Sequence, residues 1–167
     1  MDSQVRASTG PEHDPLSGVT DENLVLLRAR VDSELARRGI AFDVGTLGES
    51  LAVAHFNSTR GLPNLLNATV GAKNVDALSR DGERYSIKSF MRARKTGTVY
   101  PDDINADKQL FEYLVVVRLD GNYQLSAIYR YSWEQFVIMR AWDKRMHAWY
   151  LPLSNRNLES GELLYRR

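Results

Sequence analysis

The stretch Asn74 to Phe90, NVDALSRDGERYSIKSF, leaves few choices of local structure. Gly82 closes a turn signal, and the residues on either side alternate in polarity, so the stretch reads as one β-hairpin. Side chains alternate faces along a strand, so loop length decides which residues meet. With a two-residue loop, Asp81-Gly82, Asp76 would stand opposite Ile87 and Lys88 would point to the other face. With a three-residue loop, Arg80-Asp81-Gly82, closed by Gly82 in the left-handed conformation, Asp76 opposes Ser86 and Lys88 becomes its diagonal neighbour. In the three-residue register one face collects Val75, Ala77, Tyr85 and Ile87. The other collects Asp76, Arg84, Ser86 and Lys88, with Leu78. In the two-residue register both faces mix apolar and charged groups. The segregated pattern favours the three-residue loop, and with it an acid and a lysine on one face.

What surrounds the hairpin is ordinary for a globular chain. The sequence has 167 residues, 43% hydrophobic and 26% charged, enough for one domain with a real core and a possible appendage. It has no cysteine, which excludes a disulfide framework and a zinc-thiolate site and fits a cytoplasmic location. No apolar run approaches the roughly 18 residues needed to span a membrane. The opening MDSQVRASTGPEHDPLSG lacks the apolar core of a secretory signal. Net charge is +1, so a nucleic acid would have to be met by a local basic patch.

In chain order, residues 1–19 read as a disordered tail and 20–39 as an amphipathic helix. Thr20 or Asp21 caps it, Leu24, Leu27, Val31 and Leu35 recur at helical spacing, and Gly39 follows its end. Its opposite face carries Arg28, Arg30 and Arg37. That face is either solvated, or a phosphate-contacting or dimer-forming surface. Residues 40–167 form the main domain. A second helix runs from about Thr46 to Asn57, with Thr46 and Glu49 spaced as a capping box. Beyond its first turn it is apolar nearly all round, so it is buried on most sides. Glu49 shares a face with Ala52, Val53 and Phe56 and needs a partner there. That partner is its own helix N-terminus, or a cation or metal. His55, alone on a packed helix, reads as structural.

After the hairpin, MRARKTGTVYPDDINADKQ is irregular and basic at its start. Met91 to Tyr100, with Gly97, is a candidate for a mobile segment that closes on DNA. Phe111 to Leu119 reads as a central buried strand, Asp120-Gly121-Asn122 as a turn, and Tyr123 to Arg130 as the next strand. Ser132 and Gln135 form a capping box opening a helix to about Arg140. Met146 to Leu153 suggests an edge strand, and residues after Ser154 look peripheral. Trp133, Trp142 and Trp149 read as packing residues.

An acid and a lysine on rigid strands, with a glutamate from a buried helix, form the arrangement of a metal-dependent phosphodiesterase. Mg²⁺ takes oxygen ligands and keeps several waters, so one or two carboxylates suffice. The ion lowers the pKa of a bound water, and the lysine orients that water and offsets developing charge. The same spacing also fits a plain surface ion pair between Asp76 and Lys88, contributing at most about 1 kcal/mol.

VDAL, a DG turn and RYSIKSF, preceded by a helix with LGESLAVAHF, resemble the PD-(D/E)XK nuclease superfamily, which includes type II restriction endonucleases and Holliday-junction resolvases. The resemblance covers roughly residues 40 to 140. It implies an α/β (α+β) fold with an αβββαβ core, a mixed central sheet flanked by helices. It implies metal ligation by Asp76, Glu49 and the backbone carbonyl of Ile87, with Lys88 as the motif lysine. Ser86 departs from the pattern, which usually has Asp or Glu there; its hydroxyl is a candidate to hold a metal-bound water. Lys73, Arg80, Arg84, Arg92, Arg94 and Lys95 surround the hairpin and are the candidate DNA contacts. The expectation is a Mg²⁺-dependent (or Mn²⁺-dependent) endodeoxyribonuclease, with a second copy of the chain as a candidate partner in a homodimer. The alternative is a DNA-binding or protein-interaction module that kept the fold and lost the chemistry at Ser86.

Overall fold

The computed structural model describes residues 14–40, 42–69 and 71–167. Residues 1–13 of the expected tail lie outside the described residues. The chain divides into two units, residues 1–41 and 42–167.

The first unit holds helix α1, Asp21–Arg37. Thr20 caps it by accepting from the Asn23 N–H, and Gly39 follows at φ +69°, where glycine is the least costly residue. Arg28 pairs with Asp32, and Glu34 with both Arg37 and Arg38. All three ion pairs are exposed to solvent.

The second unit is a mixed α/β fold. It runs α2 (Val44–Ser58), β1 (Leu65–Asn67), β2 (Ala77–Ser79), β3 (Arg84–Phe90), β4 (Tyr113–Leu119), β5 (Leu125–Ser132), α3 (Trp133–Met139), β6 (Ala141–Asp143), β7 (Ala148–Tyr150), α4 (Asn155–Ser160) and β8 (Glu162–Arg166). Six strands form one sheet in the order β1-β2-β3-β4-β5-β8, and β6 and β7 form a separate ribbon. Neighbours in the large sheet are antiparallel except β3 and β4, which are parallel.

Two layers of apolar side chains cover the sheet. On one face Ala52 and Phe56 of α2 pack on Ala77, Tyr85, Ile87, Val115 and Val117. On the other, Trp133 and Phe136 of α3 join Phe90, Phe111, Leu114, Val116, Tyr129 and Leu151. Strand β4 is buried on both faces from Leu114 to Val117, as its unbroken β-branched run predicts. The capping box at α3 forms, with the Ser132 hydroxyl accepting from Gln135 N–H and the Gln135 side chain accepting from Ser132 N–H.

Several elements differ from the sequence expectation, each for a local reason. Helix α2 begins at Val44, not Thr46. Asp43 is its N-cap, and its carboxylate accepts from the Thr46 N–H at 2.9 Å and hydroxyl at 2.6 Å. Glu49 is therefore not a capping residue. Strand β5 starts at Leu125 because the Asp120 carboxylate holds the Asn122 and Gln124 N–H groups in the turn, and Tyr123 sits at φ +60°. The C-terminus is not peripheral, since β8 pairs along β5 and completes the sheet. Met91 to Tyr100 is tied down: Thr96 N–H donates to Leu151 O, Val99 and Trp149 exchange both backbone bonds, and Leu153 N–H donates to Arg94 O. Thr96 and Val99 are buried, so this stretch is a wall of the second core and not a mobile flap. Among the described residues no helix lies between β3 and β4, the place an αβββαβ core puts one. Among the described residues, no helix is long and apolar enough to cross a membrane.

Candidate active site

The hairpin adopts the three-residue loop. Ala77 pairs with Tyr85 and Leu78 with Arg84. Ser79 N–H donates to Glu83 O across the turn, and Gly82 sits at φ +85°, the left-handed position that a side chain would strain. The register carries Asp76, the residue just before β2, alongside Ser86.

Three donors then converge on one oxygen of Asp76. Its Oδ2 accepts from the Ile87 N–H at 2.6 Å, the Ser86 hydroxyl at 3.3 Å and the Lys88 ammonium at 3.3 Å. The Asp76 and Lys88 side chains are 21% and 18% exposed. This pair is thus largely withdrawn from water, unlike the plain surface ion pair the spacing also allowed. A residue in a strand directs its N–H and C=O to the same side. The Ile87 carbonyl therefore points along the same strand edge as the N–H that binds Asp76. Gly97 lies against Lys88: a Cβ there would stand 3.6 Å from the lysine Cδ.

Ser86 is fully buried, and its hydroxyl is spent on Asp76. From there it orients the Asp76 carboxylate.

Glu49 arrives from α2. It lines a cavity of about 250 Å³ together with Asp76, Val75, Asn67 and the loop residues Ala68, Thr69, Gly71 and Ala72. What brings the helix this close is Gly48. A Cβ at Gly48 would lie 1.8 Å from Ser89 Oγ and 2.5 Å from Ser89 Cβ. Burial and the neighbouring Asp76 carboxylate push the Glu49 carboxyl above its ordinary value, with Lys88 acting in the opposite direction. A carboxyl raised in the folded state gives its full stability below its unfolded pKa and loses it as pH rises through the folded value. Ionised Glu49 is therefore a cost near neutral pH. In divalent-free buffer, Glu49→Gln is expected to raise Tm by about 1–2 °C near pH 7, a gain kept small by solvent screening. Toward pH 4 the gain should vanish. A variant no more stable than wild type near neutrality would contradict this electrostatic picture.

Two further residues build the site without having stood out in the sequence. Asn74 occupies φ +62°, and its amide donates to Tyr100 O at 2.8 Å and accepts from Tyr100 N–H at 3.0 Å. This clamp fixes the chain just before Asp76. Its signal was an asparagine at the hairpin entry, a residue type that tolerates the left-handed region. Glu112 takes Arg84 in a bidentate pair, at 2.7 and 3.1 Å, and also accepts from the Arg84 N–H at 2.6 Å. Hydrogen bonding to Arg84 holds the Glu112 carboxyl below its ordinary value.

The six candidate DNA contacts divide accordingly. Arg84 is held by Glu112, Lys73 by Asp103 at 3.1 Å, and Lys95 by Asp143 at 2.7 Å. Lys95 also sits 4.9 Å over the Tyr150 ring. Arg80, Arg92 and Arg94 are exposed. His55 stacks edge-on against Tyr165 on the α2 side of the sheet, in keeping with a structural role. Trp142 and Trp149 pack on each other, with Arg140 4.0 Å over Trp149.

The donor set suits a hard divalent cation. Two carboxylates, Asp76 and Glu49, face one cavity with no hydrogen bond between them, and Asp76 Oδ1 is not the oxygen that its three donors share. Among the described residues no group of three or more His, Asp or Glu gathers as a metal cage. Mg²⁺ does not need one, since it retains several waters and is commonly held by one or two carboxylates. No family model matches the chain, and no curated protein matches it either.

Proposed function

We propose that this chain is a Mg²⁺-dependent endodeoxyribonuclease of the restriction-endonuclease-like type, hydrolysing a DNA phosphodiester by in-line attack of water to leave a 5′-phosphate. The observation that carries the reading is that Asp76 and Glu49 line one cavity while the Lys88 ammonium stands 3.3 Å from Asp76 Oδ2. The succession α2, β1, β2, β3 supports an αβββαβ core as far as its first four elements. The fifth is replaced by the irregular run between β3 and β4.

Asp76 and Glu49 would hold Mg²⁺ (or Mn²⁺), with the Ile87 carbonyl as a further ligand. When bound, the ion supplies Lewis acidity toward the phosphoryl oxygens and a more acidic water. Lys88 would position the attacking water and offset charge on the phosphate. Ser86 and the Ile87 N–H keep the Asp76 carboxylate turned to the site. Arg80, Arg92 and Arg94 contact the phosphate backbone, which predicts binding that weakens steeply with salt. The test is plasmid nicking in Mg²⁺. Lys88→Ala is expected to cut at least about 10²-fold more slowly than wild type. Equal nicking by both proteins would sink the assignment.

A second reading has one specific observation behind it. The position that usually carries the second motif acid is Ser86, fully buried and bonded to Asp76. On that reading the domain binds DNA or a protein without cutting. It predicts a gel shift that is salt-sensitive but indifferent to Mg²⁺, and no nicking by wild type at any Mg²⁺ concentration.

A further inference from the structure

We propose that α1 pairs antiparallel with the α1 helix of a second copy of this chain. Leu24, Leu27, Val31 and Leu35 recur at steps of three and four and so share one face of the 17-residue helix. Leu27 and Val31 are 41% and 47% exposed. Val31, Leu35 and Ile40 line a groove bordered by Arg30, Glu34 and Arg38. An apolar stripe on a helix is stabilised by burial against another element.

The charges choose the occupant. Asp21 and Glu22 open the helix, while Arg37 and Arg38 close it. At the closing end both arginines share one carboxylate, Glu34, so cationic charge is in excess there. The sequence is also close to its own complement about a centre between Ala29 and Arg30. Asp21 and Arg38 are equidistant from it, as are Leu24 and Leu35. A two-fold antiparallel pairing therefore sets Asp21 opposite the partner's Arg38 and Leu24 opposite the partner's Leu35. Leu27 falls beside the partner's Val31 at the centre. Such a contact is isologous and closed. A parallel pairing would place the acidic ends together and the arginine ends together. The antiparallel one also opposes the helix dipoles. A helix of this length offers a contact of only about 25 Å, so the dimer is concentration-dependent.

The inference is independent of the nuclease reading, and its test does not use cleavage. Sedimentation velocity of the full chain should show a monomer–dimer equilibrium, and Val31→Glu should leave only monomer. Asp21→Arg and Arg38→Asp each create like-charge contacts at both ends of the pair. Each alone is expected to weaken the dimer about tenfold. Mixed in equal amounts, the two variants meet opposite charges at both ends, and the heterodimer should recover wild-type affinity. Helix content by circular dichroism checks that each variant is folded. A wild-type chain that stays monomeric, single variants that dimerise as wild type does, or a mixture that fails to recover would each overturn the proposal.

Discussion

Asp76→Asn is expected to reduce Mg²⁺-dependent DNA cleavage by at least about 10²-fold while leaving the fold intact. The separation follows from how Asp76 is held. Its Oδ2 accepts the Ile87 N–H at 2.6 Å, and an asparagine carbonyl oxygen can accept the same bond. The Ser86 hydroxyl can likewise still donate. What asparagine lacks is the negative charge facing Lys88 and the cavity shared with Glu49. The readout has two arms. Nicking rates report the chemistry. Thermal melts with and without Mg²⁺ report the ion, because a ligand that binds only the folded state raises Tm in proportion to ln(1 + [L]/Kd). Wild type should gain Tm in Mg²⁺, and Asp76→Asn should not. A variant that nicks at the wild-type rate would remove Asp76 from the site.

Gly48→Ala should be the most destabilising conservative change in α2, by about 2–3 kcal/mol, with Tm falling roughly 5–10 °C. The added methyl would lie 1.8 Å from Ser89 Oγ and 2.5 Å from Ser89 Cβ. The Oγ can rotate, but the Cβ cannot retreat, because Ser89 is held on β3 by its pairing with Val117 of β4. The helix must lift instead, and Glu49, the next residue, moves with it. Cleavage should therefore fall along with stability. Ser89→Gly removes both clashing atoms, so in the Gly48→Ala background it should restore much of the loss. In the wild-type background it should give no such gain. The non-additivity of that double-mutant cycle is the signature of a direct contact. Gly48→Ala unfolding at the same urea concentration as wild type would show that α2 does not press on β3 as described.

The Ser89 hydroxyl adds a related detail. Its Oγ is buried with no hydrogen-bond partner among the described residues. Such an orphaned group costs stability. Here it marks the closeness of the helix backbone, and that closeness is what delivers Glu49 to the cavity.

Much of the fold was legible where one local rule dominated. Polarity alternation across the hairpin gave the three-residue loop, and the unbroken β-branched run gave a strand buried on both faces. Ser132 and Gln135 gave the start of α3. Errors arose where two local rules competed. Thr46 and Glu49 have capping-box spacing, but Asp43 is the better acceptor, which places the N-cap three residues earlier and the helix start at Val44. The basic RARK stretch has the composition of a loop. Yet Thr96 and Val99 are drawn into the second core by pairing with β7 and Leu151, segments some fifty residues away. The last thirteen residues carry no strong signal of their own, and they complete the sheet because β5 offers an open edge.

The sequence by itself determined that Asp76, Ser86 and Lys88 share one face, because a strand has period two and the turn sets its phase. It also gave α2 its apolar character, but only one stripe of that helix, Gly48, Ala52 and Phe56, is fully buried against the sheet. Only the tertiary structure decided that Glu49 reaches the same cavity. It also decided that Ser86 is sealed from solvent, and that Arg84, Lys73 and Lys95 are held by Glu112, Asp103 and Asp143. Period and turn geometry act over a few residues and can be read along the chain. Helix-to-strand distance, solvent access and the choice of ion-pair partner arise between segments far apart in sequence, where no local rule reaches.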